Sequence, residues 1–298
     1  MKKINLKGLG VALITPFQAN GEVDYLALSK IVDYQLQNGT DYLVVLGTTA
    51  ETPTLTPEEQ QQIKQSVIKQ VNGKIPIILG AGGNNTAALV HKLKTDDLSG
   101  IDAILSVVPY YNKPSQEGIY QHYKAIAQAS PLPVILYNVP GRTGVNMTVE
   151  TTLRLARDFD TIAGVKESSG NMTQIGDIIK NKPAGFQVIS GDDGFAFPLI
   201  TLGASGVISV IGNALPKEFG CMVRSALAGD HAQAVDIHHR FTELFKLLFV
   251  DGSPAGVKSM LHLMGYIQNE LRLPLIPAQI TTYEKIRCIL QELRIQCC

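Results

Sequence analysis

Few cysteines, little charge and no long apolar run are the first constraints that this 298-residue sequence sets. Its four cysteines, Cys221, Cys288, Cys297 and Cys298, have neither zinc-ligand nor redox spacing. We therefore predict reduced thiols and a cytoplasmic location, because disulfides persist mainly in oxidising compartments. No apolar run approaches the roughly 20 residues that cross a bilayer, so no membrane span is predicted.

Charged residues make up 17% of the chain, and their signs balance. Lys+Arg and Asp+Glu number 26 each. A neutral chain offers no bulk attraction to nucleic acid or to an anionic membrane, so we predict neither as a partner. Any anionic substrate must be held by local groups.

Metal and cofactor motifs are also missing from the sequence. The six histidines show no His-Glu-x-x-His or other ligand spacing. Gly80–Gly83 is a glycine-rich turn, but a lone cluster of this kind is weak support for nucleotide binding. The sequence therefore predicts neither a metal nor a cofactor.

Short apolar runs of strand formers alternate with helical patterns as far as about residue 230. Such alternation is typical of parallel strands joined by right-handed crossovers, and about eight units predict an α/β fold, a (β/α)8 TIM barrel. An open doubly wound sheet is the alternative, disfavoured because no Gly-x-Gly-x-x-Gly follows the first run. We predict a barrel over residues 1–230 and a C-terminal helical extension over 231–298. The apolar runs are Leu9–Ile14, Tyr42–Leu46, Ile75–Leu79, Ala103–Val108, Val134–Leu136, Ile162–Val165, Gln187–Ser190 and Gly206–Val210.

In such a barrel the reactive groups lie at the carboxyl ends of the strands. The polar residues that follow each apolar run are therefore the candidates for the active site. They are Thr48, Thr49, Tyr110, Tyr111, Tyr137, Arg142, Lys166, Glu167, Gly191, Asp192 and Asp193.

Lys166 and Tyr137 end consecutive apolar runs, so parallel pairing brings a phenol and an amine together. A partly desolvated lysine can attack a ketone as the free amine, and a tyrosine beside it can serve as general acid and base. The residues alone leave two alternatives open. Lys166 could simply pair with Glu167, and Tyr137 could only pack.

The other candidates also have two interpretations each. The Thr48–Thr49 turn offers backbone donors for a carboxylate, or is only a strand-to-helix turn. Arg142 follows a Pro-Gly turn and could bind a carboxylate in bidentate fashion, or be a solvated surface residue. Asp192 and Asp193 could be paired carboxylates, although capping of the following helix is favoured.

Several motifs together resemble the dihydrodipicolinate synthase family of pyruvate-dependent class I aldolases. The resemblance covers nearly the whole chain, and the motifs are specific jointly rather than singly. They are Gly47–Glu51 (Gly-Thr-Thr-Ala-Glu), Pro109–Pro114 (Pro-Tyr-Tyr-Asn-Lys-Pro), Tyr137–Gly144 (Tyr-Asn-Val-Pro-Gly-Arg-Thr-Gly), Gly164–Glu167 (Gly-Val-Lys-Glu), Ser190–Asp193 and Gly206–Val210.

The resemblance implies a Schiff base between Lys166 and pyruvate, whose carboxylate is held near Thr48 and Thr49. It implies that the resulting enamine attacks L-aspartate-4-semialdehyde, in the first committed step of lysine and diaminopimelate biosynthesis. Tyr137, Thr48 and Tyr111 would form the proton relay.

The resemblance implies three further binding residues and an oligomer. Arg142 would receive the semialdehyde carboxylate, and Gly191 and Ile208 would line the pyruvate pocket. Tyr111 would come from a neighbouring subunit, so the site would need at least a dimer within a homotetramer.

A sibling Schiff-base lyase acting on a sugar-derived 2-oxo acid, similar to N-acetylneuraminate lyase, is the alternative activity. The presence of Arg142 favours the semialdehyde enzyme, because the sibling's second substrate is a sugar.

The sequence departs from the family's pattern at the site where many bacterial members bind feedback lysine. Pro57, Gln60 and Ala88 replace the usual histidines and glutamate, while Asn84 and Tyr110 are retained. Without a carboxylate the site lacks its main partner for the ammonium groups of lysine. We therefore predict weak or absent inhibition by lysine.

Overall fold

A computed structural model describes residues 4–295, and its centre is a closed barrel of eight parallel strands. Each strand pairs with the next, and β8 pairs with β1 to close the barrel. The predicted (β/α)8 barrel is thereby confirmed. The strands are β1 Gly8–Ala12, β2 Tyr42–Val45, β3 Ile77–Gly80, β4 Ala103–Val107, β5 Val134–Asn138, β6 Ile162–Glu167, β7 Gln187–Ser190 and β8 Gly206–Ser209.

Helices surround the barrel and follow it in the chain. The helix that begins after Thr56 has the predicted cap, since Thr56 and Glu59 form a capping box with Pro57 in the first turn. The helices are α1 Tyr25–Gln37, α2 Pro57–Val71, α3 Thr86–Thr95, α4 Gln116–Ala129, α5 Pro140–Thr143, α6 Val149–Asp158, α7 Met172–Asn181, α8 Asp193–Thr201, α9 Pro216–Ala228, α10 His231–Leu247, α11 Ala255–Leu263 and α12 Ile280–Glu292.

Two hydrophobic cores follow from the alternation of side chains along each strand. One core lies between strands and helices. The other fills the barrel with inward-facing residues, among them Tyr42, Ile135 and Ile189. Gly10 leaves room for the Tyr42 ring, which a Cβ atom at that position would overlap.

The C-terminal helices pack on the barrel's outer surface. Phe245 of α10 packs edge to face against Phe219 of α9, with their ring centroids 5.8 Å apart, in the core between strands and helices. No helix among residues 4–295 has the length and hydropathy to cross a membrane. Cys221 and Cys288 are free thiols, as predicted, whereas Cys297 and Cys298 lie outside the described residues.

Candidate active site

Lys166 and Tyr137 face each other inside the barrel. The parallel register of β5 and β6 pairs Tyr137 with Lys166, as the sequence predicts. Both side chains are buried, at 5% and 7% exposure. The Lys166 Nζ atom lies 4.4 Å from the centroid of the Tyr137 ring. The amine and the phenol therefore meet at the carboxyl end of two neighbouring strands.

Glu167 points the opposite way, into the helix layer. Its carboxylate accepts hydrogen bonds from Asn138 Nδ2 at 2.7 Å, Gln174 Nε2 at 3.0 Å and Ser169 N at 3.0 Å. Successive side chains of a strand lie on opposite faces, so Glu167 cannot pair with the inward lysine beside it. The alternative prediction that Lys166 forms an ion pair with Glu167 is therefore wrong. Among residues 4–295, Lys166 Nζ has no hydrogen-bonding or ionic partner.

A cavity of about 510 Å³ opens at this end of the barrel. It brings together five of the eight residues to which the resemblance assigns a role, while Tyr111, Gly191 and Ile208 are not part of its lining. The five are Thr48, Thr49, Tyr137, Arg142 and Lys166.

The two threonines lie on a short 3₁₀ turn, Thr48–Ala50, that begins at Gly47. Thr49 is buried, whereas Thr48 is exposed to the cavity mouth. The backbone is left-handed on both sides of the turn, at Leu46 (φ 58°) and Glu51 (φ 54°). Two non-glycine residues in this sparsely populated region indicate that the surrounding structure fixes the turn.

Arg142 lies on α5, a single helical turn that the sequence pattern predicts only as a Pro-Gly turn. Gly144 ends this helix with a left-handed backbone (φ 74°). The arginine side chain is exposed and lies on the cavity wall. No carboxylate among residues 4–295 pairs with it, so its guanidinium is available to an anionic ligand.

Tyr111 stays outside the cavity of its own chain. Its side chain is 88% exposed, and its backbone is left-handed (φ 73°). The structure therefore does not bring Tyr111 to Lys166 within one chain, although the neighbouring Tyr110 does line the cavity.

Gly191 and Ile208 support the reactive pair without lining the cavity. A Cβ atom at Gly191 would lie 2.8 Å from Lys166 Cε and would overlap the Ser168 hydroxyl. Ile208 is fully buried in the inner core, in the same cluster as Tyr137. Gly191 therefore sets the space that the Lys166 side chain occupies.

Replacing Gly191 with alanine is expected to lower kcat by about 10²-fold, because a displacement of about 1 Å of a reacting group has effects of this size. The measurement is steady-state turnover with pyruvate and L-aspartate-4-semialdehyde, the two substrates that the resemblance implies. Gly176→Ala is the matched control, since a Cβ there meets no atom within 4 Å and the residue lies inside α7. Equal turnover in the two variants would contradict the assigned contact.

Asp192 and Asp193 have different structural roles. Asp192 caps α8 by accepting a hydrogen bond from Gly194 N at 2.8 Å, which confirms the capping interpretation. Asp193 is buried, and its Oδ2 atom accepts from Val210 N at 3.0 Å and Ile211 N at 2.8 Å. Burial raises the pKa of Asp193 to about 6, against the opposing effect of these donors and the Ser209 hydroxyl.

The raised pKa of Asp193 predicts a pH-dependent stability. Between about pH 4 and 6 the folded chain binds this proton more tightly than the unfolded chain. The contribution of Asp193 to the free energy of unfolding therefore falls as pH rises through that window, by at most about 3 kcal/mol, and is constant above it.

Chemical denaturation of wild type and Asp193→Asn across this range tests the prediction. Subtracting one curve of unfolding free energy against pH from the other removes the contributions of groups that both proteins share. One such group is His122, because burial lowers its pKa to about 4. A difference that does not change with pH would show that Asp193 has an ordinary pKa.

Three supporting residues are absent from the candidates that the strand-end rule selects. Ser168 lies beside Gly191, and Glu51 follows the threonine turn and pairs with Lys258 of α11. The motif Gly47–Glu51 contains Glu51 but does not indicate its partner, which is 207 positions away.

The chain is similar to a known family of proteins along almost its whole length. Residues 5–293 match the model of the Dihydrodipicolinate synthetase family. The chain belongs to this family. Among its relatives, a 4-hydroxy-tetrahydrodipicolinate synthase from Parabacteroides distasonis is 71% identical over 297 residues, and the match covers 100% of both chains.

Two solved structures of family members are also similar. One is a chloride-inhibited dihydrodipicolinate synthase from Acinetobacter baumannii complexed with pyruvate, 42% identical with a TM-score of 0.94. That match covers 98% of this chain and 100% of the other. The second is a synthase from Cyanidioschyzon merolae with lysine bound, 38% identical with a TM-score of 0.94, covering 99% and 100%.

The family member described here has no candidate metal centre in residues 4–295. No group of three or more His, Cys, Asp or Glu side chains in that part of the chain could hold an ion.

Proposed function

We propose that the chain is a 4-hydroxy-tetrahydrodipicolinate synthase, which condenses pyruvate with L-aspartate-4-semialdehyde. The observation that carries the proposal is an inward Lys166 that lies beside Tyr137 in the cavity and has no hydrogen-bonding or ionic partner among the described residues. A relative that is 71% identical in sequence is named 4-hydroxy-tetrahydrodipicolinate synthase, which favours the synthase over the sibling sugar-acid lyase.

The chemistry begins at the Lys166 amine. It attacks the ketone carbon of pyruvate, and loss of water from the carbinolamine leaves an imine between Nζ and that carbon. The imine withdraws electrons, so a methyl proton leaves and an enamine forms. The enamine carbon bonds to the semialdehyde's aldehyde carbon, whose oxygen gains a proton. The substrate's own amine then attacks the imine carbon, closes the ring and releases Lys166.

Tyr137 supplies the proton transfers in this scheme. Its ring lies against Lys166, and its phenol is the ionisable group beside the amine that can donate and accept protons during imine formation and bonding of the aldehyde. Thr48 at the cavity mouth and Tyr111 complete the relay to solvent.

The two carboxylates are bound by different groups of the cavity lining. The backbone and hydroxyl groups of the Thr48–Thr49 turn hold the pyruvate carboxylate, while Gly191 and Ile208 act from behind the cavity lining, Gly191 by leaving space for the Lys166 side chain and Ile208 by packing in the same core as Tyr137. Arg142 receives the carboxylate of the semialdehyde, because its guanidinium lies on the cavity wall and pairs with no carboxylate in the described part of the chain.

Tyr111 completes the relay from a second copy of the chain. Its 88% exposure and left-handed backbone suit a side chain that is presented outward to a partner. The proposal therefore includes a homo-oligomer of at least a dimer, within a homotetramer, in the cytoplasm. We further propose that residues 1–230 form the barrel domain and residues 231–298 its C-terminal extension.

A coupled assay with pyruvate and two aldehydes tests the activity. We expect turnover with L-aspartate-4-semialdehyde and none with N-acetylmannosamine. Arg142→Leu is the discriminating variant, expected to raise the semialdehyde KM while leaving the pyruvate KM unchanged. Turnover only with the sugar would establish the sibling lyase instead.

L-Lysine is expected to leave the activity unchanged at micromolar concentrations. Ala88 and Pro57 provide no charge, and the Gln60 amide already donates to Leu55 O at 3.1 Å. An ammonium group placed there would lose hydration without gaining a carboxylate partner. Inhibition at micromolar lysine would refute this expectation, and the Cyanidioschyzon merolae synthase, solved with lysine bound, serves as the comparison enzyme.

A further inference from the structure

A buried ion pair joins the threonine turn to the C-terminal helices. Lys258 of α11 is fully buried, and its Nζ atom donates to Glu51 Oε1 and to Glu270 O, the latter at 2.9 Å. The same amine lies 4.2 Å from the centroid of the Phe17 ring. The lysine amine is therefore enclosed by a carboxylate, a carbonyl and an aromatic ring.

Arg272 extends this link to the start of α2. Its backbone N–H donates to the second Glu51 oxygen at 3.0 Å, and its guanidinium binds Glu59 through two hydrogen bonds of 2.6 and 2.7 Å. It also donates to Thr54 O at 2.9 Å. The segment from residue 51 to 59 is thus held from outside by a part of the chain more than 200 positions away.

Glu51 is the point at which this network meets the active site. It directly follows the Thr48–Ala50 turn, and its N–H closes that turn by donating to Thr48 O at 3.1 Å. Its left-handed backbone (φ 54°, ψ 33°) is a conformation that a glutamate adopts only when other contacts fix it. The two carboxylate contacts supply that constraint.

We propose that Lys258 is a positioning residue of the active site, which acts through Glu51 to fix the turn that carries Thr48 and Thr49. The inference rests on the proposed function, in which this turn binds the pyruvate carboxylate. It gives the C-terminal extension a role in positioning the active site, although none of its described residues, 231–295, lines the cavity.

Loss of Lys258 leaves the Glu51 carboxylate buried and without its cationic partner. A buried charge in that state is strongly disfavoured, so the carboxylate moves toward water. The turn moves with it, because Glu51 N–H and Thr48 O are bonded to each other. Shifts of about 1 Å in a binding turn weaken alignment of the ligand by factors of about 10 to 100.

The experiment titrates pyruvate against Lys258→Met, Glu51→Gln and the double variant. Each is incubated with pyruvate and reduced with borohydride, and the fraction of protein carrying one reduced pyruvate on Lys166 is measured by mass spectrometry. The semialdehyde KM and the melting temperature are recorded alongside. Lys64→Met is the matched control, since Lys64 is also buried and donates to Asp97 O at 2.7 Å away from the cavity.

We expect Lys258→Met to raise the half-saturating pyruvate concentration at least about 10-fold, with the semialdehyde KM within about 3-fold of wild type. The double variant should bind pyruvate better than Lys258→Met, because the neutral amide that Glu51→Gln introduces no longer needs a cation. Lys64→Met should lower only the melting temperature. If Lys258→Met does not fold, a raised half-saturation in Glu51→Gln supports the proposal and an unchanged one overturns it.

Three results would overturn the positioning role. They are an unchanged pyruvate titration in Lys258→Met, equal shifts in Lys258→Met and Lys64→Met, and purely additive effects in the double variant. Failure of the wild type itself to form any pyruvate adduct would instead remove the proposed function, so the two failures are distinguishable.

Discussion

Replacing Lys166 with methionine is expected to abolish condensation, with kcat at least about 10⁴-fold below wild type. Methionine keeps most of the side chain's volume inside the barrel but offers no amine to attack the pyruvate ketone. Because Lys166 has no hydrogen-bonding or ionic partner among residues 4–295, its loss leaves no buried group unpaired. We therefore expect an unchanged or higher melting temperature. The measurement is turnover in the coupled assay together with thermal unfolding.

Lys64→Met also serves as the control for this substitution. It removes a buried amine from α2, where the amine donates to Asp97 O, and is expected to retain turnover within about 2-fold. If Lys166→Met retains more than a hundredth of wild-type turnover, a covalent role for Lys166 is wrong.

Replacing Tyr137 with phenylalanine is expected to lower kcat by about 10² to 10³-fold, the range typical of a lost general acid and base. The ring that packs against Lys166 remains, so the side chain of Lys166 should keep its place. The adduct with pyruvate should still form, but more slowly, because imine formation also needs proton transfer. Stopped-time borohydride trapping and steady-state turnover measure the two effects separately.

Tyr42→Phe is the matched control inside the same barrel. The Tyr42 hydroxyl donates to Val207 O at 3.3 Å, away from the cavity lining. Its removal is expected to cost about 1 kcal/mol of stability and to leave kcat near that of wild type. A smaller loss of kcat in Tyr137→Phe than in Tyr42→Phe would show that the Tyr137 hydroxyl does not transfer protons.

The barrel and its reactive pair could be predicted because local patterns determine them. Apolar runs of strand formers separated by helical spacing are enough to indicate eight parallel units. In a (β/α)8 barrel consecutive strands are neighbours, so the barrel prediction itself places Tyr137 beside Lys166. Side chains alternate between the two faces of a strand, so Glu167 lies on the outer face of the barrel when Lys166 lies on the inner face. Adjacent residues of a strand therefore cannot form the Lys166–Glu167 ion pair.

The supporting contacts could not be predicted, because they join distant parts of the chain. Lys258 lies in an ordinary helical pattern, and no local feature indicates that its amine reaches Glu51. The role of Gly191 beside Lys166 depends on the distance between β6 and β7, which only the folded barrel defines. Tyr111 is exposed and does not line the cavity of its own chain. Its proposed part in the proton relay therefore depends on a second copy of the chain.

The most direct test of the proposed chemistry is the trapping experiment on the wild-type enzyme. The protein is incubated with pyruvate, reduced with borohydride, digested and analysed by mass spectrometry. We expect a single reduced pyruvate on the peptide that contains Lys166, and none in the Lys166→Met variant treated identically. An unmodified Lys166, or an adduct on any other lysine, would contradict the Schiff-base mechanism.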